Sequence, residues 1–63
     1  MIKDPYILLS FINTKLRDFY ESFDSLCSDL DLDKEEVERI LASIDYYYDS
    51  QTNTFRILKS SND

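Results

Sequence analysis

The apolar positions divide the chain into two parts. They recur every three or four residues as far as Ile44 and at every second residue beyond Asp45. The first spacing is typical of amphipathic helices and the second of a strand with one buried face. Because 63 residues are too few for two hydrophobic cores, the pattern predicts one domain over residues 1–63, mainly α with a small β-hairpin.

Three helices are predicted, over about residues 5–19, 23–30 and 34–43. Each follows a residue whose side chain can accept hydrogen bonds from the free amides of the first helical turn. These caps are Asp4, Ser22 and Asp33. Pro5 suits the first helical position because it has no N–H to leave unpaired, and Glu36 stands where a capping box needs an acid.

Two runs of aromatic and branched residues near the C-terminus flank a polar segment. They predict the strands of a hairpin, over about residues 46–49 and 54–58, followed by a frayed tail at 60–63. Since the chain has no glycine, Asn53 is expected to take the left-handed backbone conformation in the turn. The face toward the helices is expected to hold Tyr46, Tyr48, Phe55 and Ile57, and the outward face Tyr47 and Arg56.

Residues 26–41 resemble the helix-turn-helix of transcription factors. They repeat its apolar register, with Cys27 at the small residue that lets the helices approach, Asp31 at the usual turn glycine and Asp33 at the usual cap. The hairpin after the third helix corresponds to the wing of a winged helix. The resemblance therefore implies a three-helix, helix-turn-helix-like bundle followed by a C-terminal two-stranded wing.

Charge argues against using this scaffold on DNA. Thirteen acidic residues outnumber seven basic ones, and residues 21–38 hold eight carboxylates against Lys34 alone, a local charge of −7. A helix that enters the major groove needs a face that phosphates attract. We therefore expect a protein partner with a basic surface. The expected contact residues are Glu35, Glu38, Arg39, Ile7 and Phe11.

Two alternatives stay open at this stage. The first is a DNA-binding transcriptional regulator of the helix-turn-helix type, with contacts from Lys34, Arg39, Arg56 and Lys59. In this alternative the apolar pair Ile7 and Phe11 is the surface expected in a homodimer. The second is a small structural protein that self-associates and has no other ligand.

No catalytic residue, cofactor or metal site is expected, and the protein is predicted not to be an enzyme. The absence of glycine excludes phosphate-binding glycine loops, and the absence of histidine removes the commonest acid–base group. Asp29, Asp31 and Asp33 alternate as at the start of an EF-hand loop. The required glycine position, however, is Lys34 and the bidentate glutamate position is Ile40.

The chain is expected to be cytoplasmic and not associated with membranes. Cys27 is the single cysteine, so no intrachain disulfide can form. The longest apolar run near the N-terminus, residues 6–9, is too short for a signal peptide or a membrane span.

Two motifs lie on the predicted first helix. Residues 4–10 read Asp-Pro-x-x-Leu-Leu-Ser and residues 13–18 read Asn-x-x-Leu-Arg-Asp. With these motifs, nearly the whole chain resembles a family of very short, uncharacterised bacterial proteins. The resemblance implies a bacterial cytoplasmic origin and a stand-alone domain, and it implies no activity. It also implies that Asn13, Arg17 and Asp18 matter, either to the fold or to a partner.

Overall fold

The computed structural model describes residues 3–58 and consists of three helices followed by a hairpin. The elements are α1 (Pro5–Asp18), α2 (Phe23–Leu30), α3 (Lys34–Ala42), β1 (Tyr46–Asp49) and β2 (Thr54–Ile57). The two strands pair antiparallel in a two-stranded sheet. The predicted fold class is confirmed. The predicted ends at 19, 43 and 58 lie one residue beyond those observed, and the predicted tail at 60–63 lies outside the described residues.

The helices begin where the capping residues predict. The side chains of Asp4, Ser22 and Asp33 accept hydrogen bonds from backbone amides of the first turns of α1, α2 and α3. At α3, Asp33 Oδ1 accepts from the N–H groups of Glu35 and Glu36, at 3.1 and 3.3 Å. These local bonds satisfy donors that a helix cannot pair internally, so each start is specified by its own short sequence.

Three described residues have a left-handed backbone, and none is glycine. They are Asp31, Asp45 and Asn53, with φ of 57°, 68° and 54°. Aspartate and asparagine tolerate this conformation best among residues that have a Cβ. The turns from α2 to α3, from α3 to β1 and from β1 to β2 therefore each depend on one such residue. The prediction for Asn53 is confirmed, and Asp31 stands at the turn position that the helix-turn-helix comparison indicated.

The core draws on all three helices and on β2. The buried residues are Leu8, Ile12, Leu16, Phe23, Leu26, Cys27, Val37, Leu41 and Phe55. Burial raises the pKa of the Cys27 thiol above its usual range, so the side chain is a small apolar group at neutral pH.

An aromatic cluster joins the hairpin to α2. The ring centroids of Phe23 and Phe55 are 4.9 Å apart in an edge-to-face arrangement, and Tyr48 packs on both rings at 5.5 and 5.6 Å. Such pairs add to the free energy of burial, because ring edges and faces carry opposite partial charges. The cluster holds β1 and β2 over the N-terminal end of α2.

The hairpin register is as predicted, but its inward face is narrower than expected. Tyr48 pairs with Phe55 and Tyr46 with Ile57. Ile57, expected to cover the helices, is 49% exposed. It is the last residue of β2, whereas Phe55, two residues earlier on the same face, packs into the core. Within residues 3–58, no helix has both the length and the apolar composition to cross a membrane.

The segment that follows α1 is joined to α2 by a hydrogen bond whose contribution to stability depends on pH. The Tyr20 hydroxyl donates to the Asp29 carboxylate, and this bond raises the pKa of Tyr20 above its ordinary value of 10.0. In the unfolded chain the hydroxyl loses its proton near pH 10, whereas in the folded chain it keeps the proton to higher pH. The stabilisation is therefore present below pH 10 and is lost as pH rises through the folded-state pKa.

Substituting Tyr20→Phe is expected to lower the free energy of unfolding at pH 7, and the deficit relative to the parent chain is expected to shrink above pH 10. Urea unfolding of both chains at pH 7, 9 and 10.5 measures this. Tyr47→Phe is the control variant. It removes a different, exposed hydroxyl, so its pH series shows how much of the change comes from the loss of any one tyrosine hydroxyl. A deficit that stays constant across the series would contradict the prediction.

Candidate functional site

An open groove of about 520 Å³ runs between α3 and β1. It is called the α3–β1 groove below. Its lining consists of Glu35, Glu38, Arg39 and Ala42 from α3, and Tyr46, Tyr47, Tyr48 and Phe55 from the hairpin. It combines two carboxylates and one guanidinium with an aromatic wall.

The helix period and one turn build this groove. Val37 and Leu41 are buried on the inner face of α3, so Glu38 and Arg39 remain exposed. The left-handed backbone of Asp45 reverses the chain directly after α3, so that β1 packs alongside the helix it has just left.

Three of the five expected partner contacts line the α3–β1 groove, namely Glu35, Glu38 and Arg39. The other two lie on α1. Ile7 is 58% exposed, whereas Phe11 is half-buried and packs against the core. They do not form one free apolar patch, because Phe11 contributes to the fold.

Among residues 3–58, the expected DNA contacts do not combine into a basic surface. Lys34 Nζ lies 2.6 Å from Asp24 Oδ1, and this hydrogen bond raises the pKa of Lys34. Arg56 Nη1 lies 3.5 Å from Asp49 Oδ2. Arg39 lies in the α3–β1 groove among acids, and Lys59 is outside the described residues. Carboxylates accompany each described cation of this set.

A second open groove, of about 540 Å³, runs between α1 and the hairpin turn. Seven polar residues and one leucine line it, namely Ser10, Asn13, Thr14, Leu16, Arg17, Thr52, Asn53 and Thr54. The two amide side chains in it are engaged by the fold. Asn13 Nδ2 donates to the Phe55 carbonyl at 3.1 Å, and Asn13 Oδ1 accepts from the Phe55 N–H at 2.8 Å. Asn13 thus pairs with β2 as a neighbouring strand would.

Asn53 joins the hairpin turn to two helices. Its Nδ2 donates to the carbonyls of Leu16 and Tyr20, at 3.1 and 2.9 Å, where α1 ends. Its Oδ1 accepts from the Tyr48 hydroxyl at 2.6 Å, and that hydroxyl accepts from the N–H of Phe23 at 3.3 Å. The Asn53 side chain therefore gives hydrogen-bond partners to two carbonyls at the end of α1. Through Tyr48 it also supports the hydrogen bond to the first N–H of α2.

The other two motif residues, Arg17 and Asp18, form an ion pair at the surface. Nε and Nη2 of Arg17 donate to the two carboxylate oxygens of Asp18, both at 2.9 Å. The hydrogen bond to Arg17 lowers the pKa of Asp18. With the Arg17 side chain 73% exposed, the pair contributes little to stability. Of the three motif residues, Asn13 therefore serves the fold, whereas Arg17 and Asp18 face solvent.

The alternating aspartates have local roles. Asp29 accepts from Tyr20, Asp31 supplies the left-handed turn and Asp33 caps α3. Within the described part of the chain, no three histidine, cysteine or carboxylate side chains cluster as a metal site would need.

The sequence reasoning missed the tyrosine wall. Tyr46 and Tyr48 pack against the core and Tyr47 is exposed, as expected, but the sequence did not show that all three border a groove beside α3. The sequence feature that could have indicated the groove is the run of three tyrosines that starts a predicted strand soon after an acidic helix. Tyrosine joins an apolar ring to a polar hydroxyl and suits such half-exposed positions.

Fold and site together define a small acidic chain of three helices whose C-terminal hairpin forms an open, charged and aromatic groove with α3. Residues 2–55 match the family described as a domain of unknown function, DUF4250, and the chain belongs to that family. This confirms the expected membership of an uncharacterised small protein family. Comparison with curated proteins and with solved structures gives no significant match.

Proposed function

We propose that this chain is a non-enzymatic protein-interaction module that holds a basic segment of a partner protein in the α3–β1 groove. One observation carries the proposal: the exposed carboxylates of Glu35 and Glu38 share an open groove with Tyr46 and Tyr47, while the ring of Tyr48, which also borders the groove, packs in the core. The scaffold is winged-helix-like. Its α3 corresponds to the helix that enters the major groove in DNA-binding relatives of this fold, and it presents acidic side chains where those proteins would present basic ones.

The chemistry of the groove matches lysine and arginine side chains. Carboxylates attract their charged ends, and tyrosine faces bind both the cation and the aliphatic stem. Tyr47 is 45% exposed and able to stack on a partner. Tyrosine is enriched at protein interfaces because it buries a large area with few rotatable bonds.

The net charge of −6 favours a basic partner over a nucleic acid. A field of one sign accelerates encounter with surfaces of the opposite sign and repels phosphates. Arg39 adds one cationic donor among the acids, so the groove selects a basic segment that also offers an acceptor. The pairing of Lys34 with Asp24 and of Arg56 with Asp49 supports a protein partner rather than DNA.

The proposed place of action is the cytoplasm of a bacterium. The support is the pair of α1 motifs, with their likeness to short bacterial proteins, together with the buried free thiol of Cys27, which suits a reducing compartment.

Selection from a library of random dodecapeptides displayed on phage tests this function. The parent chain is expected to enrich sequences rich in lysine and arginine. Glu38→Lys is expected to weaken binding of a selected peptide at least about tenfold, because it replaces an attraction by a repulsion. Glu21→Lys is the matched control, since it makes the same charge change at an exposed position away from the groove.

Fluorescence anisotropy of the labelled peptide gives the dissociation constants, and a labelled random DNA duplex at low salt is titrated in parallel. The proposal expects the duplex not to bind. Equal loss with Glu38→Lys and Glu21→Lys would assign binding to general charge rather than to the groove. Duplex binding that weakens steeply with salt would favour the regulator instead.

A further inference from the structure

We propose that the segment bound in the α3–β1 groove is an extended strand, which pairs with the outer edge of β1 and converts the two-stranded sheet into a three-stranded one. This inference rests on the proposed function and specifies the conformation of the partner.

The hydrogen-bond alternation of the hairpin determines which backbone groups point outward. The N–H of Leu58 donates to the carbonyl of Asp45 at 2.7 Å, so this opposed pair is hydrogen-bonded. In an antiparallel ladder, hydrogen-bonded and non-hydrogen-bonded pairs alternate. Tyr46 and Tyr48 therefore belong to non-hydrogen-bonded pairs, and their N–H and C=O groups point away from β2.

The bonds of Asn13 lead independently to the same alternation. Its side chain pairs with both the N–H and the C=O of Phe55, which must therefore point away from β1. Phe55 is the residue opposite Tyr48. Both members of a non-hydrogen-bonded pair direct their peptide groups away from each other. The N–H and C=O of Tyr48 therefore point outward at the β1 edge of the sheet, opposite the β2 edge where Asn13 binds.

The two edges of the sheet therefore differ in whether their outward peptide groups have hydrogen-bond partners. On β2, α1 lies against the edge and Asn13 satisfies the outward peptide groups of Phe55. On β1, α3 also packs against the strand, but the outward N–H and C=O groups of Tyr46 and Tyr48 have no hydrogen-bond partner within residues 3–58. Unpaired peptide groups along a strand are a template for another strand.

The open edge borders the α3–β1 groove, because Tyr46 and Tyr48 line it. A strand added there would lie about 4.8 Å from β1 and direct successive side chains to opposite faces of the sheet. Every second side chain would then face α3 with its carboxylates at Glu35 and Glu38, and the others would lie on the Tyr47 face. A strand with a basic residue at alternate positions fits this charge pattern.

A helix would satisfy its own peptide groups and leave those of β1 unpaired. An extended segment pairs its own peptide groups with those of β1, so neither set is left unpaired. Its main-chain bonds supply affinity, and its alternate side chains supply specificity.

The test uses the peptide selected from the dodecapeptide library and the full chain labelled with ¹⁵N. On binding, hydrogen exchange at the amides of Tyr46 and Tyr48 is expected to slow at least about tenfold, because these N–H groups gain acceptors. The amide of Tyr47 faces β2 and is already paired in the free chain, so any slowing at Tyr47 reports the general stabilisation of the fold by binding and serves as the internal control.

Two N-methylated forms of the peptide complete the design. Methylation of the alternate amides that would face β1 is expected to weaken binding at least about tenfold, since it removes donors and adds bulk at the edge. Methylation of the intervening amides is expected to change affinity by less than about threefold.

The outcomes separate this inference from the proposed function. If the peptide binds and is displaced by Glu38→Lys, but the Tyr46 and Tyr48 amides stay unprotected and both methylated forms bind equally, the strand is refuted while the function stands. If no basic peptide is enriched, both are refuted. Protection of the two amides with selective loss on one methylation pattern supports both.

Discussion

Asn53→Asp is expected to destabilise the folded chain by about 2–4 kcal/mol at neutral pH, because two hydrogen bonds to the end of α1 lose their donor. The aspartate has the same shape and tolerates the same left-handed backbone. It would, however, place carboxylate oxygens against the carbonyls of Leu16 and Tyr20, both of which accept from Nδ2 in the parent chain. A chain of 63 residues has a total stability of about 3–9 kcal/mol, so the loss is large.

Urea unfolding followed by circular dichroism at pH 7 and pH 3.5 measures this effect. Gln51→Glu adds the same charge to an exposed position of the same turn and is expected to change stability by less than about 0.5 kcal/mol. Protonation of the introduced carboxyl below pH about 4 restores a donor, so the deficit is expected to narrow in acid. Equal stability of the two variants at pH 7 would show that the Asn53 bonds contribute nothing.

Asn13→Ala is expected to lower stability by about 2 kcal/mol, the second largest effect. Loss of the amide leaves the N–H and C=O of Phe55 without a protein partner at a half-buried edge that water can still reach, so the cost for each group is near the lower end of the range of about 1–3 kcal/mol. The higher helix propensity of alanine offsets about 0.6 kcal/mol of that loss. In thermal unfolding, the midpoint is expected to fall by about 8–16 °C.

Thr14→Ala is the matched control, because it truncates the neighbouring exposed residue of the same helix with a similar gain in helix propensity, and it is expected to raise the midpoint by a few degrees at most. The selected peptide gives a second readout. At a temperature where Asn13→Ala remains folded, its affinity is expected to equal that of the parent chain, since Asn13 serves the fold. Lost affinity with an unchanged midpoint would instead assign Asn13 to the partner surface.

Much of the fold follows from short-range chemistry. Asp4, Ser22 and Asp33 cap helices whose amides lie two or three residues away, so a few neighbours specify each start. The turn at Asn53 likewise sets the hairpin register from adjacent residues. Such features depend on backbone conformation and nearest neighbours, and for this reason a single sequence carries them.

The candidate site could be predicted only in part. Glu35, Glu38 and Arg39 were identified because helical periodicity places them on the exposed face of α3. Tyr46 and Tyr48 were assigned to the core alone, since alternation along a strand says which face a residue takes and not what stands beside that face. The position of β1 next to α3 depends on the turn at Asp45, whose left-handed backbone no pattern in the sequence indicated.

By itself, the sequence determined the element order, the helix caps, the hairpin register and the acidic face of α3, because these features depend on residues close together in the chain. The tertiary structure decided the roles of Asn13 and Asn53, which bond to Phe55 across 42 positions and to Leu16 across 37. It also decided which sheet edge is covered and which stays open. Those outcomes require the packed position of α1 against the hairpin, and that position results from the whole core rather than from any one segment.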